Sequence, residues 1–290
     1  MNYQPSLFDG TEYAPRYDNK VVNVASVPNR SPFRYPGGKT WLVPTVRKWL
    51  SSKSEKELIE PFCGGGTVAL TAAAENLANK VTMVEMDPDV AAVWKVILED
   101  GEWLARRILN FQLTKESVTA LTKTEPEDER ERAFVTILRN RTNHGGILAK
   151  GSGTVNRGEN GKGLTSRWYP NTLAKRIFEI QRYSSKIVFI QGDAFEYFSP
   201  SSYDDHSYYF IDPPYTVAGR RLYNLSDVDH ELLFKKTSQL KCHYLMTYDK
   251  CEYIMSLAEK YHMEYRMIPM QTTHLVKKEE LLISNDFSWL

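Results

Sequence analysis

Apolar positions along the chain follow two different periods. Short runs dominated by β-branched and aromatic residues, bounded by glycine, proline or acidic residues, read as strands. They are Glu57 to Glu60, Val81-Thr82-Met83-Val84, Ile187-Val188-Phe189-Ile190, Tyr208-Tyr209-Phe210-Ile211 and Tyr244-Leu245-Met246-Thr247. Two further runs, Tyr265 to Met270 and Leu281-Leu282-Ile283-Ser284, read as an antiparallel pair. Helical spacing fills several intervals. Trp41, Leu42, Pro44, Val46, Trp49 and Leu50 suit a short helix after a glycine turn, and Thr67 to Asn76 is alanine-rich and helical. A helical stretch begins near Asp89, the period persists through Arg130, Phe134, Ile137, Leu138 and Arg141, and another helix spans Leu173 to Tyr183. Strand, glycine turn, helix, strand is the opening of a doubly wound parallel sheet, so the pattern predicts an α/β fold.

Two stretches break the rhythm. Residues 1 to 30 carry Pro5, Pro15 and Pro28 among polar residues without lasting periodicity, which predicts a mobile tail. Gly145 to Gly163 holds seven of the chain's sixteen glycines, mixed with Lys and Arg, and predicts a flexible basic loop. No internal repeat is visible. With 290 residues, 42% apolar and 25% charged, the chain has the makings of one large core or two modest ones, which excludes wholesale disorder. No apolar run reaches the ~18 residues of a membrane span, and the start MNYQPSLFDG is not a signal peptide. The three cysteines, Cys63, Cys242 and Cys251, fall in no metal-ligand spacing. A cytoplasmic protein with no metal is the expectation.

Charge changes the picture once it is divided. The net charge of +1 conceals a stretch, Arg130 to Lys186, with 12 Lys/Arg against 3 Asp/Glu. Such concentration is the footprint of a polyanion partner, with a solvated basic face as the plain alternative.

Candidate chemistry lies at the strand ends. Asp212-Pro213-Pro214-Tyr215 follows an aromatic strand, and two prolines forbid both helix and ladder pairing. A stiff turn there aims a carboxylate, a carbonyl and an aromatic ring into the crevice of a parallel sheet. Those groups suit an exocyclic amine, with two acceptors for its N–H bonds and a face for its ring. Glu60-Pro61-Phe62-Cys63-Gly64-Gly65-Gly66 also follows a strand and opens a helix, where glycines let a ligand approach the backbone. It lacks the dinucleotide and Walker orders of residues. Glu85 ends the second strand, where an acid commonly bonds ribose hydroxyls, with Asp87 and Asp89 close enough to compete. Arg34-Tyr35-Pro36-Gly37-Gly38-Lys39 offers helix amides and an ammonium to a carboxylate or phosphate. Asp193, after Gln191-Gly192, suits either an adenine amine or the cap of the following turn.

These segments in this order, together with Tyr248-Asp249 after a strand and the ending Glu280-Leu281-Leu282-Ile283-Ser284-Asn285, resemble the Dam-like DNA adenine methyltransferases. The resemblance spans residues 31 to 285. It implies a Rossmann-like methyltransferase sheet with an inserted, mainly helical target-recognition domain. Residues 31–95 and 187–290 would form the catalytic part, and 96–186 the recognition part. It implies transfer of a methyl group from S-adenosyl-L-methionine, leaving S-adenosyl-L-homocysteine, to the N6 amine of a flipped-out adenine in double-stranded DNA. Tyr35, Lys39, Glu60, Phe62, Gly64, Gly66, Glu85, Asp193 and Asp212 would bind the cofactor. Lys39 would take its carboxylate, Glu85 its ribose and Asp193 its adenine. Asp212, Pro213, Pro214 and Tyr215 would be catalytic. Arg139, Arg141, Asn143, Arg157, Lys162 and Arg167 are the candidate DNA contacts.

Rival readings are a methyltransferase for cytosine N4, RNA adenine or protein glutamine, or a non-catalytic DNA-binding subunit. An intact Asp212 to Tyr215 turn argues against the last. In the tail, Gln4-Pro5-Ser6-Leu7-Phe8 resembles peptides that dock into the bacterial sliding clamp, with Gln4, Leu7 and Phe8 as its anchors. A DNA substrate and a clamp partner together imply association with the nucleoid.

Overall fold

The computed structural model describes residues 27–34, 38–51, 56–149, 151–155, 157–158, 161–198, 206–215, 227–271 and 277–290. Most of the expected tail, the clamp-like peptide and Tyr35 lie outside these residues.

Seven strands form one sheet: β1 (Glu57–Glu60), β2 (Lys80–Glu85), β3 (Ile187–Gln191), β4 (Ser207–Ile211), β5 (His243–Asp249), β6 (Glu264–Gln271) and β7 (Lys277–Ser284). Their order is β3-β2-β1-β4-β5-β7-β6. The pairs among β1 to β5 are parallel, while β7 enters antiparallel between β5 and β6. The order reverses between β1 and β4, and ligands of open α/β sheets bind outside the carboxyl ends at such a switch point. Glu60 ends β1 and Asp212 directly follows β4, so both stand at that point.

The helices are α1 (Val43–Trp49), α2 (Thr67–Ala74), α3 (Pro88–Leu109), α4 (Lys115–Lys123), α5 (Glu129–Thr142), α6 (Pro170–Gln181), α7 (His230–Ser238) and α8 (Glu252–Lys260). Strand alternation divides the core between two faces. Tyr208 and Phe210 of β4, Leu245 of β5 and Leu282 of β7 join a cluster with α1, α2, α3, α5 and α6. Tyr209, Ile211, Tyr244, Met246, Leu281 and Ile283 join the opposite cluster with α7 and α8. The doubly wound expectation is met.

Helix α3 runs through residues 95/96, where the catalytic and recognition parts are expected to meet, and has a break at Asp100, whose φ is −146°. Beyond the break Gly101 lies against α6: a Cβ there would stand 2.8 Å from the Gln181 amide. The glycine-rich stretch, expected to be flexible, is tethered at its described residues. Asn143 pairs with Thr154 in an isolated bridge, and its side-chain amide donates to the Ile147 carbonyl and the Ser152 hydroxyl, both at 3.0 Å. Asn140 is fully buried and donates to the carbonyls of Arg34 and Gly146, while it accepts from the Arg34 amide. This amide ties the segment before Lys39 to α5 and to the loop.

Candidate active site

A glycine turn, a proline turn and the 3-10 turn at Lys39 meet at the carboxyl edge. After β1 the chain turns through Gly64 and Gly66, both with positive φ. At Gly66 (φ 61°) a Cβ would also meet Met83 Cε at 2.8 Å and the Trp94 ring at 3.0 Å, so only glycine fits. Trp94, from α3, donates its indole N–H to the Gly64 carbonyl at 2.9 Å and fixes the turn from beneath. Glu60 is 3% exposed and accepts the Ala69 amide at 2.8 Å, which satisfies an early donor of α2. Burial pushes its carboxyl well above the usual carboxylate range.

At the end of β2, Glu85 accepts the Gly64 amide at 3.0 Å and the Asp87 amide at 2.9 Å. Burial, opposed by these bonds, pushes it up to about 7. Its two competitors are occupied elsewhere. Asp87 caps α3 by accepting the Asp89 amide, and Asp89 pairs with Arg132 at 3.0 Å. Asp193 is exposed and accepts the Phe195 amide at 2.9 Å, so the capping role is present. Phe62 and Phe195 stand edge to face at 6.3 Å.

The turn after β4 makes the other wall. The parallel register pairs Ile211 with Met246, which brings Asp212 beside Thr247. Thr247 donates its hydroxyl to Asp212 Oδ1 at 2.7 Å. The ammonium of Lys39 lies 2.9 Å from Asp212 Oδ2 and 5.1 Å from the centre of the Tyr215 ring. Lys39 is only 4% exposed; a 3-10 turn spanning Lys39–Leu42, leading into α1, sets it there. Tyr215 stacks on Tyr248 at 5.9 Å and 23°, and donates its hydroxyl to Glu280 Oε2 at 3.2 Å. Pro213 and Pro214 keep this turn free of regular structure.

Sequence reasoning missed Thr247, Glu280 and Trp94 as supports. Each acts on a residue at least thirty positions away, although Thr247 immediately precedes the quoted Tyr248-Asp249 pair.

The candidate DNA contacts separate into two sets. Arg157 and Lys162 are exposed. Arg139 instead donates to the Thr122 carbonyl at 2.8 Å, and Asn143 spends its amide inside the loop. Arg141, 7% exposed, donates to the Pro32 carbonyl. Burial first, then Arg176, Arg34 and Arg167, push it down to about 9. Arg176 donates to the neighbouring Ser31 carbonyl. Four guanidiniums thus converge around the segment that leads to Lys39, two of them (Arg34 and Arg176) outside the expected set.

A model of the family described as D12 class N6 adenine-specific DNA methyltransferase matches residues 35–274. Among curated proteins none matches the chain. Among solved structures, the chain is similar to precorrin-6y C5,15-methyltransferase from Geobacter metallireducens GS-15. That similarity has 10% identity and a TM-score of 0.35, over 83% of this chain and 84% of the other. It is also similar to the rRNA methyltransferase aviRa from Streptomyces viridochromogenes, at 12% identity and a TM-score of 0.37, over 84% of this chain and 82% of the other.

Proposed function

The chain belongs to the D12 class N6 adenine-specific DNA methyltransferase family, and on that premise we propose how its residues divide the work of methylating adenine in DNA. S-adenosylmethionine is the methyl donor, and supplies a methyl group activated by a sulfonium. The donor set at the carboxyl edge suits that molecule. Glu85 offers acceptors for ribose hydroxyls at the end of β2, and Asp193 keeps an oxygen beyond its capping bond for an adenine amine. Glu60, Phe62 and the Gly64 to Gly66 turn line the space between. Lys39 has three N–H donors, so it can serve a carboxylate while it holds Asp212. Tyr35 belongs to the same set by sequence.

The observation that carries the reading is the fixed Asp212 carboxylate beside the Tyr215 ring at the sheet's switch point. An adenine amine is a poor nucleophile because its lone pair is delocalised into the ring. Asp212 and the Pro213 carbonyl accept its two N–H bonds and favour a pyramidal nitrogen. Lys39 and Thr247 hold the carboxylate in one orientation before the base arrives. Pre-set geometry of this kind can supply several of the ~7–11 kcal/mol attributed to proximity. Tyr215 gives the extruded base a stacking face, which offsets a flipping cost of roughly a few kcal/mol.

Residues 96–186 form the target-recognition part of the proposal, and 31–95 with 187–290 the catalytic part. Duplex DNA lies over the arginine-rich side, where Arg34, Arg141, Arg167 and Arg176 gather and Arg157 and Lys162 are exposed. Gln4, Leu7 and Phe8 dock the sliding clamp, which with the DNA substrate places the protein at the nucleoid. Among the described residues no helix is long and apolar enough to cross a membrane.

The test is incubation with S-adenosylmethionine labelled in its methyl group and unmethylated duplex DNA, with nucleoside analysis. Label in N6-methyladenine supports the reading; label in N4-methylcytosine, in RNA only, or nowhere overturns it.

A further inference from the structure

Glu280 sits where a strand core normally wants a hydrocarbon. It is 5% exposed on β7 and is followed by the buried apolar residues Leu281, Leu282 and Ile283. The antiparallel register sets it directly opposite Asp249 of β5, and like charges in that position weaken a sheet. Among the described residues no ion pair closes on it. Its hydrogen bond comes from Tyr215, whose hydroxyl stands 3.2 Å from Oε2. A carboxylate kept in so costly a place and spent on one active-site tyrosine calls for a reason beyond folding.

We propose that Glu280 is a positioning residue for methyl transfer: by holding the Tyr215 hydroxyl it fixes the ring against Tyr248, so that the stacking face is set before the target base enters. The inference rests on the function proposed above, because it assigns Tyr215 to the base. Tyr215 is held by Tyr248 on one face, by the Lys39 ammonium near its ring, and at its hydroxyl by Glu280 together with Thr247. Without Glu280 the hydroxyl loses its carboxylate acceptor, and the stacking surface is less firmly preset. An ionised acceptor makes the stronger bond to a phenol. The charged and titratable groups facing Glu280 are Lys39 from the 3-10 turn, Asp212 and Tyr215 from the turn after β4, and Asp249 from β5. His230 of α7 bonds the Tyr248 hydroxyl behind them at 2.9 Å. Burial first, eased by Lys39 and the Tyr215 hydrogen bond and reinforced by Asp212 and Asp249, pushes Glu280 up to about 7. The grip therefore tightens as pH rises through neutrality.

The experiment measures kcat and KM for duplex DNA between pH 6 and pH 8.5 at saturating S-adenosylmethionine. It uses the wild-type chain, Glu280→Gln, Glu280→Asp, Tyr215→Phe and the Tyr215→Phe/Glu280→Gln double variant. Wild-type kcat is expected to climb with a midpoint near pH 7. Glu280→Gln should lose that climb and about tenfold in kcat at pH 8, the size of one charge-assisted hydrogen bond. Glu280→Asp should keep the climb. Tyr215→Phe should cost about as much as Glu280→Gln, and the double variant no more than either alone. An unchanged pH profile in Glu280→Gln, or losses that multiply in the double variant, would overturn the inference alone. A wild-type chain that methylates no DNA would overturn the functional reading and this inference with it.

Discussion

Lys39 Nζ and Asp212 Oδ2 stand 2.9 Å apart, with side chains 5% and 22% exposed. The ion pair joins the 3-10 turn before α1 to the proline turn after β4, at the switch point of the sheet. Removing one partner leaves a mostly buried charge uncompensated, which typically costs about 3–5 kcal/mol. Lys39→Met should therefore lower stability in urea denaturation by about 3 kcal/mol. Adding Asp212→Asn should restore much of the loss, because the orphaned charge disappears. Simple additivity of the two substitutions would show that the pair carries no coupling.

Asp212 also bears the proposed chemistry. Asp212→Ala should reduce transfer of labelled methyl to DNA by roughly a thousandfold or more, as expected for a group that acts in the transition state. Calorimetric titration with S-adenosylmethionine should change the dissociation constant by less than about tenfold. Wild-type turnover by this variant would remove Asp212 from the mechanism.

Gly66 combines a positive φ with a Cβ position already filled by Met83 and Trp94. Gly66→Ala should cost about 2 kcal/mol or more, from the left-handed backbone and from overpacking together. The thermal midpoint should fall accordingly. Since the turn lines the proposed donor site, KM for S-adenosylmethionine should rise as well.

Arg157 and Lys162 are exposed, whereas Arg139 spends a guanidinium nitrogen on the end of α4. Reversing the charges of Arg157 and Lys162 should flatten the slope of log K against log salt by about 2 or more, with the largest loss of affinity at low salt. Arg139→Ala should leave that slope alone and lower stability instead. Equal slopes for all variants would move the DNA elsewhere on the surface.

Glu280 has a second consequence, for stability. A carboxyl held near 7 in the folded protein and near 4.5 in the unfolded one keeps its proton longer in the native state. Stability from this group is full below about pH 4.5 and is lost as pH rises through 7. Glu280→Gln should therefore stabilise the fold at pH 8 by an amount on the order of 2–3 kcal/mol, with the difference fading by pH 5. Denaturation at the two pH values measures it directly.

Local order made much of this legible beforehand. Strands ended where β-branched and aromatic runs gave way to Glu60, Glu85 and Asp212, because parallel strands buried on both faces need such runs and their ends cannot. The paired prolines marked a rigid turn without any partner in view. Long-range relations stayed hidden. Nothing beside Arg139 announces that Thr122 and Asp89 will hold it, so an arginine engaged within the fold and an exposed one look alike in the sequence. The break in α3 carried a weak sign in Gly101, whose purpose is visible only once α6 packs there. Helices α7 and α8 were missed because nine residues give only about two and a half turns of periodicity. The cap at Asp229, which accepts the Leu232 amide, was the available signal for α7.

The antiparallel entry of β7 between β5 and β6 also orders events in time. A nascent chain halted before residue 280 would already hold the lysine, the aspartate and the tyrosine. It would lack both the tyrosine's anchor and the neighbour that seals the open side of β5. Along the chain, the tyrosine's anchor and the strand that covers β5 are thus the last described parts of the site to be made.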